Sequence, residues 1–207
     1  MLACPRCREP LESHGCGARW EEVEGILDCV VEAGDRVSTT VRAFYEERPF
    51  PNYRPEDDRG TLLLRGRANG FTRALDEAIP FNARVVELGC GTGQLPLFMG
   101  LAGRECLGVD LTQASLRVAE AFRQKAGLDK VRFVRGNLFE PPVLRECADV
   151  AISTGVLHHT PDARRGFSAL ASLARPGGLV IVGLYNRLGR ALLPLMRSRH
   201  RALAESA

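Results

Sequence analysis

The stretch VVELGCGTGQ, residues 85–94, constrains the fold more than any other part of this chain. It begins as an apolar, β-branched run, which is typical of a strand buried in a parallel sheet. It continues with Gly89, Gly91 and Gly93, where the backbone can turn tightly and approach a ligand without a Cβ in the way. A short predicted helix follows from Gln94, so its first N–H groups point into the same turn. The stretch therefore predicts a strand, a glycine turn and a helix that together hold a nucleotide-type ligand.

Glu87, at the end of the predicted strand, indicates which ligand the turn prefers. A carboxylate at that place repels a diphosphate but suits a ligand with an ammonium group, which favours S-adenosylmethionine over a dinucleotide. The spacing also departs from the dinucleotide pattern G-x-G-x-x-G, because Pro96 stands where its third glycine would be. An ordinary glycine-rich turn without a ligand is the alternative.

The pattern E-x-G-x-G-x-G resembles the first motif of class I S-adenosylmethionine-dependent methyltransferases. Further segments resemble the same family in the same order: FYEERPFPNY at 44–53, GVLHHT at 155–160, a P-G-G turn at 176–178 and GLYN at 183–186. The resemblance covers residues 41–190. It implies an α/β fold with a Rossmann-like, doubly wound and mostly parallel sheet, and the transfer of a methyl group by in-line displacement to an acceptor.

The resemblance also implies which residues hold the cofactor. Asp110 ends the second predicted strand and would accept hydrogen bonds from the ribose hydroxyls, although it could equally serve as the N-cap of the next helix. Leu111 would pack on the adenine. Asn137 stands where the family usually has Asp, and its amide oxygen would accept from the adenine amino group. The predicted cofactor-binding set is Tyr45, Glu87, Gly89, Cys90, Gly91, Gly93, Gln94, Asp110, Leu111, Asn137, Leu138 and Ser153.

An aromatic segment, residues 41–53, precedes the glycine stretch, and its prolines limit the predicted helix there to one or two turns. In the family such a segment often folds over the cofactor as a lid, which would exclude water from the methyl transfer. We predict lid contacts for Tyr45 and Tyr53, with packing on the sheet as the alternative. Packing is the interpretation that we prefer for Phe44 and Phe50.

Acceptor-site residues are predicted after the fourth and fifth strands. Tyr185 and Asn186 follow the fifth predicted strand, at the edge where open α/β sheets bind ligands, and Tyr53 could join them from the lid. His158 and His159 are candidate catalytic bases, because histidine has the pKa range to deprotonate a phenol or a similar acceptor. Methyl transfer from a sulfonium needs mainly alignment, so packing and helix capping are the alternative roles for this pair.

The N-terminal cysteines resemble a short zinc ribbon that precedes several class I methyltransferases, including a bacterial ribosomal-RNA guanine methyltransferase. Cys4 and Cys7 form one C-x-x-C knuckle, and Cys16 ends a second one in which Ser13 replaces the first cysteine. His14 could complete a Cys₃His zinc site with these three cysteines. A degenerate ribbon that has lost its metal is the alternative.

We predict four segments along the chain. They are a zinc-ribbon-like knuckle at 1–33, a linker with the aromatic lid and a helix at 34–80, the cofactor-binding core at 81–190 and a basic tail at 191–207. The helical spacing of apolar residues predicts one helix over 60–79.

The charge and the cysteine content indicate where the protein is located in the cell and which class of molecule it binds. With 28 basic and 25 acidic residues the formal net charge is +3, which argues against a nucleic-acid coat or a membrane surface. Seven cysteines, several of them in predicted core strands, predict a reduced, cytoplasmic protein, and no signal peptide or membrane span is expected. A small molecule is the predicted acceptor. RNA is the alternative, because the knuckle and the arginine-rich tail could bind phosphates.

The predicted sheet ends early by comparison with the family. Members have seven strands with a final β-hairpin, whereas a basic tail follows LVIVGLY, residues 179–185, in this chain. The fifth strand would then leave an apolar edge, which a second copy or a partner chain could cover. A non-catalytic or partner-dependent S-adenosylmethionine-binding fragment is therefore the alternative function.

Overall fold

The structure, a computed structural model, describes residues 1–31 and 35–185. Over these residues the chain forms one seven-stranded sheet and six α-helices. The strands are β1 (Glu21–Val23), β2 (Ile26–Asp28), β3 (Arg84–Leu88), β4 (Glu105–Asp110), β5 (Val131–Arg135), β6 (Ala148–Thr154) and β7 (Ala174–Gly183). The helices are α1 (Arg36–Glu47), α2 (Arg59–Ala68), α3 (Gly70–Ala78), α4 (Gln94–Leu101), α5 (Gln113–Ala126) and α6 (Ala163–Ala171).

The sheet confirms the predicted doubly wound fold. Its strand order is β1-β2-β5-β4-β3-β6-β7, and every pair except β1–β2 is parallel. The chain moves outward from β3 through β4 and β5, then returns to place β6 on the other side of β3. This reversal opens a crevice at the carboxyl ends of the central strands, where such sheets bind ligands.

Two apolar cores cover the two faces of the sheet. Alternate residues of β3 point to opposite faces, so that Val85 packs in the core of α2 to α5 and Val86 in the core beside α6. Both valines are almost fully buried. Burial on both faces explains why the predicted central strands are continuous apolar runs rather than alternating ones.

The N-terminal segment extends the sheet instead of standing apart from it. A tight turn at Glu24 and Gly25, with φ of 57° and 78°, joins β1 to β2. Strand β2 then pairs in parallel with β5. The Arg135 guanidinium donates to the Asp28 carboxylate across this pair, with Nη1 to Oδ2 at 2.6 Å. The sequence showed neither contact, because both join segments that are far apart along the chain.

Two helix predictions before the glycine stretch were wrong. The single helix over 60–79 is two helices, because Asn69 has an extended backbone (φ −83°, ψ 115°) that ends α2 and caps α3. Helix α1 is longer than predicted and begins within the predicted linker, where the Asp35 carboxylate accepts from the Ser38 N–H at 2.7 Å.

Helices α2 and α4 approach each other closely at Gly66. A Cβ at this position would lie 2.0 Å from the Phe98 ring, so only glycine fits. The contact fixes α2 beside α4, the helix that follows the glycine turn.

Strand β7 lies at one edge of the described sheet and pairs with β6 alone. Its Leu179 and Val180 side chains are 54% and 36% exposed. Pairing of this edge with a second copy or another chain stays a prediction. Asn186 and the predicted tail at 191–207 lie outside the described residues. Among the helices that are described, none is long and apolar enough to cross a membrane.

Candidate cofactor and acceptor site

A cavity of about 470 Å³ lies at the carboxyl ends of the central strands, within the size range of small-molecule sites. Its walls are the glycine turn after β3, the loops after β4, β5 and β6, and the facing parts of α1, α2 and α3. Most of the predicted cofactor-binding residues line it. They are Tyr45, Glu87, Gly89, Cys90, Gly91, Gln94, Asp110, Leu111, Asn137 and Leu138.

The glycine turn has the left-handed backbone that its sequence predicts. Gly89, Gly91 and Gly93 have φ of 75°, 53° and 74°. A Cβ on Gly89 would lie 2.4 Å from the Val156 side chain, and one on Gly93 would lie 2.5 Å from the Phe133 ring. Gly93 is the N-cap of α4. It shapes the glycine turn but is not among the described residues that line the cavity.

Asp110 connects the glycine turn after β3 with the loop after β4, both of which face the cavity. Its Oδ2 accepts from the Gly91 N–H at 2.8 Å, and its Oδ1 accepts from the Thr112 N–H at 2.9 Å. The N-cap of α5 is Thr112, so the alternative role of Asp110 as the cap was wrong. Burial raises the pKa of the Asp110 carboxyl. Each carboxylate oxygen can accept more than one hydrogen bond, which leaves capacity for a ligand.

Glu87 is the second acid of the cavity and is only 4% exposed. Burial raises the pKa of Glu87 to about 8, and the nearby Asp110 charge acts in the same direction. The Thr154 hydroxyl, 3.4 Å from Oε1, opposes the rise. The two carboxyls therefore favour a cation between them, because a cation would lower both pKa values.

Ser153 and Thr154 are neighbours at the end of β6, and their side chains point to opposite faces of the sheet. The predicted Ser153 is fully buried and donates to the Leu88 carbonyl at 2.9 Å, so it does not face the cavity. Thr154 lines the cavity beside Glu87. Sequence reasoning missed Thr154, although the alternation of side chains along a strand could have distinguished the two.

The loop after β5 presents Asn137 to the cavity. Its Oδ1 accepts from the Phe139 N–H at 3.0 Å and so holds the turn in place. The second lone pair of that oxygen is still available to a ligand amino group. The predicted adenine contact stays a prediction.

The lid residues divide between the cavity and the core. Tyr45 lines the cavity from α1. Tyr53 does not line it: its ring stacks on Phe122, with centroids 4.2 Å apart, and its hydroxyl donates to the Thr92 carbonyl at 3.1 Å. The predicted acceptor contact of Tyr53 was wrong, because the ring fills the core instead. Phe50 lines the cavity with 73% of its side chain exposed, so its assignment to sheet packing was also wrong.

The predicted acceptor-side residues come together after β6. Leu157–His159 form one 3-10 turn. The His158 ring lies 4.1 Å from the His159 ring and 4.0 Å from the Tyr185 ring, centroid to centroid. Of the three rings, only His159 belongs to the cavity wall among the described residues. This arrangement suits His159 for contact with an acceptor and His158 for packing between the other two rings.

The N-terminal cysteines gather as the sequence predicted. The ligand atoms of Cys4, Cys7, His14 and Cys16 all lie within 4.8 Å of one another. The Cys4 and Cys16 sulfurs are 3.6 Å apart, and Cys16 Sγ is 3.4 Å from His14 Nδ1. Tetrahedral zinc with Zn–S bonds near 2.3 Å holds its ligands roughly 3.5–4 Å apart, so these residues fit a zinc ion. Cys29 is a buried core residue.

Comparisons with known proteins find similarity to methyltransferases. The family model described as a methyltransferase domain matches residues 86–182. An uncharacterized protein of Synechococcus is 29% identical over 79% of this chain and 40% of its own length. A ubiquinone biosynthesis O-methyltransferase of Bordetella pertussis is 33% identical over 53% of this chain and 46% of its own. The crystal structure of YcgJ from Bacillus subtilis superposes with a TM-score of 0.51 and 26% identity, over 55% of this chain and 50% of that one. The chain thus spans at most half the length of these relatives.

Proposed function

We propose that this chain, whose residues 86–182 match the methyltransferase-domain family, binds S-adenosylmethionine in the cavity and transfers the methyl group to a small-molecule acceptor. The proposal rests on two carboxyls, the buried Glu87 and the half-buried Asp110, on either side of a left-handed glycine turn. A site with two acids and a close backbone suits a ligand that is cationic and carries ribose hydroxyls.

The residues of the cavity have distinct roles in this reaction. The bound cofactor supplies an electrophilic methyl group on its sulfonium. Asp110 accepts from the ribose hydroxyls, Glu87 lies toward the amino-acid ammonium, and Asn137 accepts from the adenine amino group. Tyr45 and the rest of the lid exclude water, which would compete as nucleophile. Alignment of the acceptor with the methyl group does most of the catalytic work.

The acceptor binds between His159 and the exposed aromatic side chains Phe50 and Phe71, all of which line the cavity. His159 takes the proton that a hydroxyl acceptor loses. The Bordetella relative is named for O-methylation in ubiquinone biosynthesis, which supports a small molecule with an oxygen nucleophile.

Transfer of a labelled methyl group tests the proposal. The chain is incubated with methyl-tritiated S-adenosylmethionine and, in separate arms, with a panel of phenols and catechols or with bulk RNA. We expect label in the small-molecule arm. Label only in RNA, or none in either arm from a chain that binds the cofactor, would contradict the proposed acceptor class.

The raised pKa of Glu87 predicts a pH-dependent affinity. A cationic ligand lowers this pKa, so binding releases a proton and strengthens as the pH rises toward about 8. We expect the affinity for S-adenosylmethionine to increase roughly 10-fold between about pH 6 and pH 7.5, below the titration of the ligand's own amino group. Calorimetry at several pH values measures this. Glu87→Gln should give a flat profile, and an equal slope in both proteins would contradict the role of Glu87.

We further propose that Cys4, Cys7, His14 and Cys16 bind one structural zinc ion. Thiolate ligands need a reducing compartment, which agrees with the predicted cytoplasmic location. The bound ion would fix the knuckle against the sheet through β1 and β2.

Metal analysis of the purified chain tests this site. We expect about one zinc per chain, and its loss in Cys16→Ala, because three remaining ligands hold the ion poorly. Cys29→Ala removes a core cysteine and should retain the metal. Zinc-free wild-type protein from zinc-supplemented cells, or full zinc content in Cys16→Ala, would contradict the proposal.

A further inference from the structure

Helix α1 is tied to α5 by one carboxylate. Glu46 Oε1 accepts from the Gln113 N–H at 3.0 Å, and Oε2 accepts from the Ala114 N–H at 2.9 Å. These are the first two N–H groups of α5, which have no partner within the helix. The N-cap residue Thr112 makes no capping bond through its side chain. Glu46 therefore provides the cap from a different helix, where the dipole of α5 also favours a negative charge.

The rest of α1 is weakly anchored. None of its residues is buried, and Val37 and Phe44 are 44% and 54% exposed. Its Ser38, Val41 and Tyr45 nevertheless line the cavity, which makes α1 part of the cavity roof. A helix with few buried contacts depends strongly on a bidentate, charge-assisted attachment.

The N-terminus of α5, which Glu46 caps, borders the proposed cofactor site. Helix α5 starts at Gln113, after Asp110, Leu111 and Thr112, all of which line the cavity. Asp110 accepts from the Thr112 and Gly91 N–H groups. The Glu46 carboxylate thus continues a series of hydrogen bonds that runs from the glycine turn through the β4–α5 loop to the roof helix.

We propose that Glu46 is a positioning residue that fixes α1 over the cofactor site and slows release of the bound cofactor. The proposal rests on the proposed function, since it names the part of the roof that holds S-adenosylmethionine. Among the described residues, Glu46 is not part of the cavity wall, so it acts through Tyr45 and Val41, which lie on the same helix and line the cavity.

Glu46→Ala and Glu46→Gln test the proposal, with Glu47→Gln as the matched control. Glu47 is on the same helix and carries the same charge, but its side chain is 74% exposed and its ion pair is with Arg48 at 3.9 Å. Stopped-flow and calorimetric measurements with S-adenosylhomocysteine give the dissociation rate and the affinity. We expect about 5- to 30-fold faster dissociation in Glu46→Ala, as the loss of a charged helix cap implies. The dissociation rate of Glu46→Gln should lie between those of wild type and Glu46→Ala, and the rate of Glu47→Gln should equal that of wild type.

A second readout reports on α1 without any ligand. Trypsin can cleave this helix after Arg36 and Arg42, and we expect faster cleavage in Glu46→Ala than in Glu47→Gln, with a similar melting temperature for both variants. Unchanged dissociation and unchanged cleavage in Glu46→Ala would overturn the proposal. So would a large fall in melting temperature with an unchanged dissociation rate, which indicates a merely structural role. Failure of the wild-type chain to bind S-adenosylhomocysteine would contradict the proposed function instead, and the cleavage comparison would still decide the role of Glu46.

Discussion

Replacing Arg104 with leucine should lower the free energy of unfolding by about 3–5 kcal/mol, the largest effect on stability that we expect from one residue. The side chain is fully buried. Its Nη1 donates to Asp76 Oδ1 at 2.7 Å, its Nη2 to the Asp76 and Ile79 carbonyls at 2.8 and 2.6 Å, and its Nε to the Pro80 carbonyl at 3.1 Å. Leucine would leave the Asp76 carboxylate and the carbonyls at the end of α3 without these donors.

Urea unfolding followed by circular dichroism measures this loss. Arg117→Leu is the control, because Arg117 pairs with Glu24 at the surface and is 55% exposed, so we expect a change of at most about 1 kcal/mol there. Arg104→Lys keeps the charge but lacks the forked donors of the guanidinium. Its free energy of unfolding should therefore lie between those of wild type and Arg104→Leu. A loss below about 1 kcal/mol in Arg104→Leu would show that the network contributes little.

Replacing Asp110 with asparagine should weaken S-adenosylmethionine binding at least about 100-fold, which corresponds to about 2.7 kcal/mol. The carboxylate can accept from two ribose hydroxyls, and a hydrogen bond to a charged group contributes about 1.5–3 kcal/mol. The asparagine amide has one acceptor oxygen and no charge. Because burial raises the pKa of Asp110, the folded protein favours a neutral group there, so the variant should fold.

Calorimetric titration of the variant with S-adenosylmethionine measures this effect. Asp129→Asn is the matched control, because its carboxylate is 97% exposed and its affinity should be that of wild type. A folded Asp110→Asn protein that binds within threefold of wild type would exclude Asp110 from cofactor binding.

The central part of the fold could be predicted because its signals are local. The β-branched strand residues 85–86, the three glycines and the acid that ends β4 each act within a few residues, and the cavity forms where they predict it. Parallel strands buried on both faces leave little choice of arrangement once this turn is placed. The four zinc-ligand candidates also converge as predicted, because short knuckles bring their cysteines together locally.

Errors arose where a single polar side chain decides between two local structures. Asn69 divides the predicted helix because its amide oxygen accepts from the Thr72 N–H at 3.1 Å and starts a new helix. Apolar periodicity continues across this residue and hides the break. Tyr53 was assigned to the acceptor from its neighbours in sequence, whereas its ring completes the core against Phe122.

The remaining features depend on contacts between distant segments, which leave no pattern in one sequence. The pairing of β2 with β5 joins residues more than a hundred positions apart, as does the ion pair of Asp28 with Arg135. The cap that Glu46 gives to α5 also spans 67 positions. Arg104 directly precedes β4 in the sequence, whereas its side chain holds the end of α3. Such contacts follow from how the helices pack on the sheet.

The most direct test of the proposed cofactor site is whether the wild-type chain binds S-adenosylmethionine. We would titrate the cofactor by calorimetry at pH 7.5, with NAD⁺ as the alternative ligand, and confirm the fold by circular dichroism. One saturable site for S-adenosylmethionine and no heat from NAD⁺ is the result that we predict, because the two acids of the cavity favour a cation and repel a diphosphate. A folded chain that gives no heat with S-adenosylmethionine, or that prefers NAD⁺, would rule out a site for S-adenosylmethionine in this cavity.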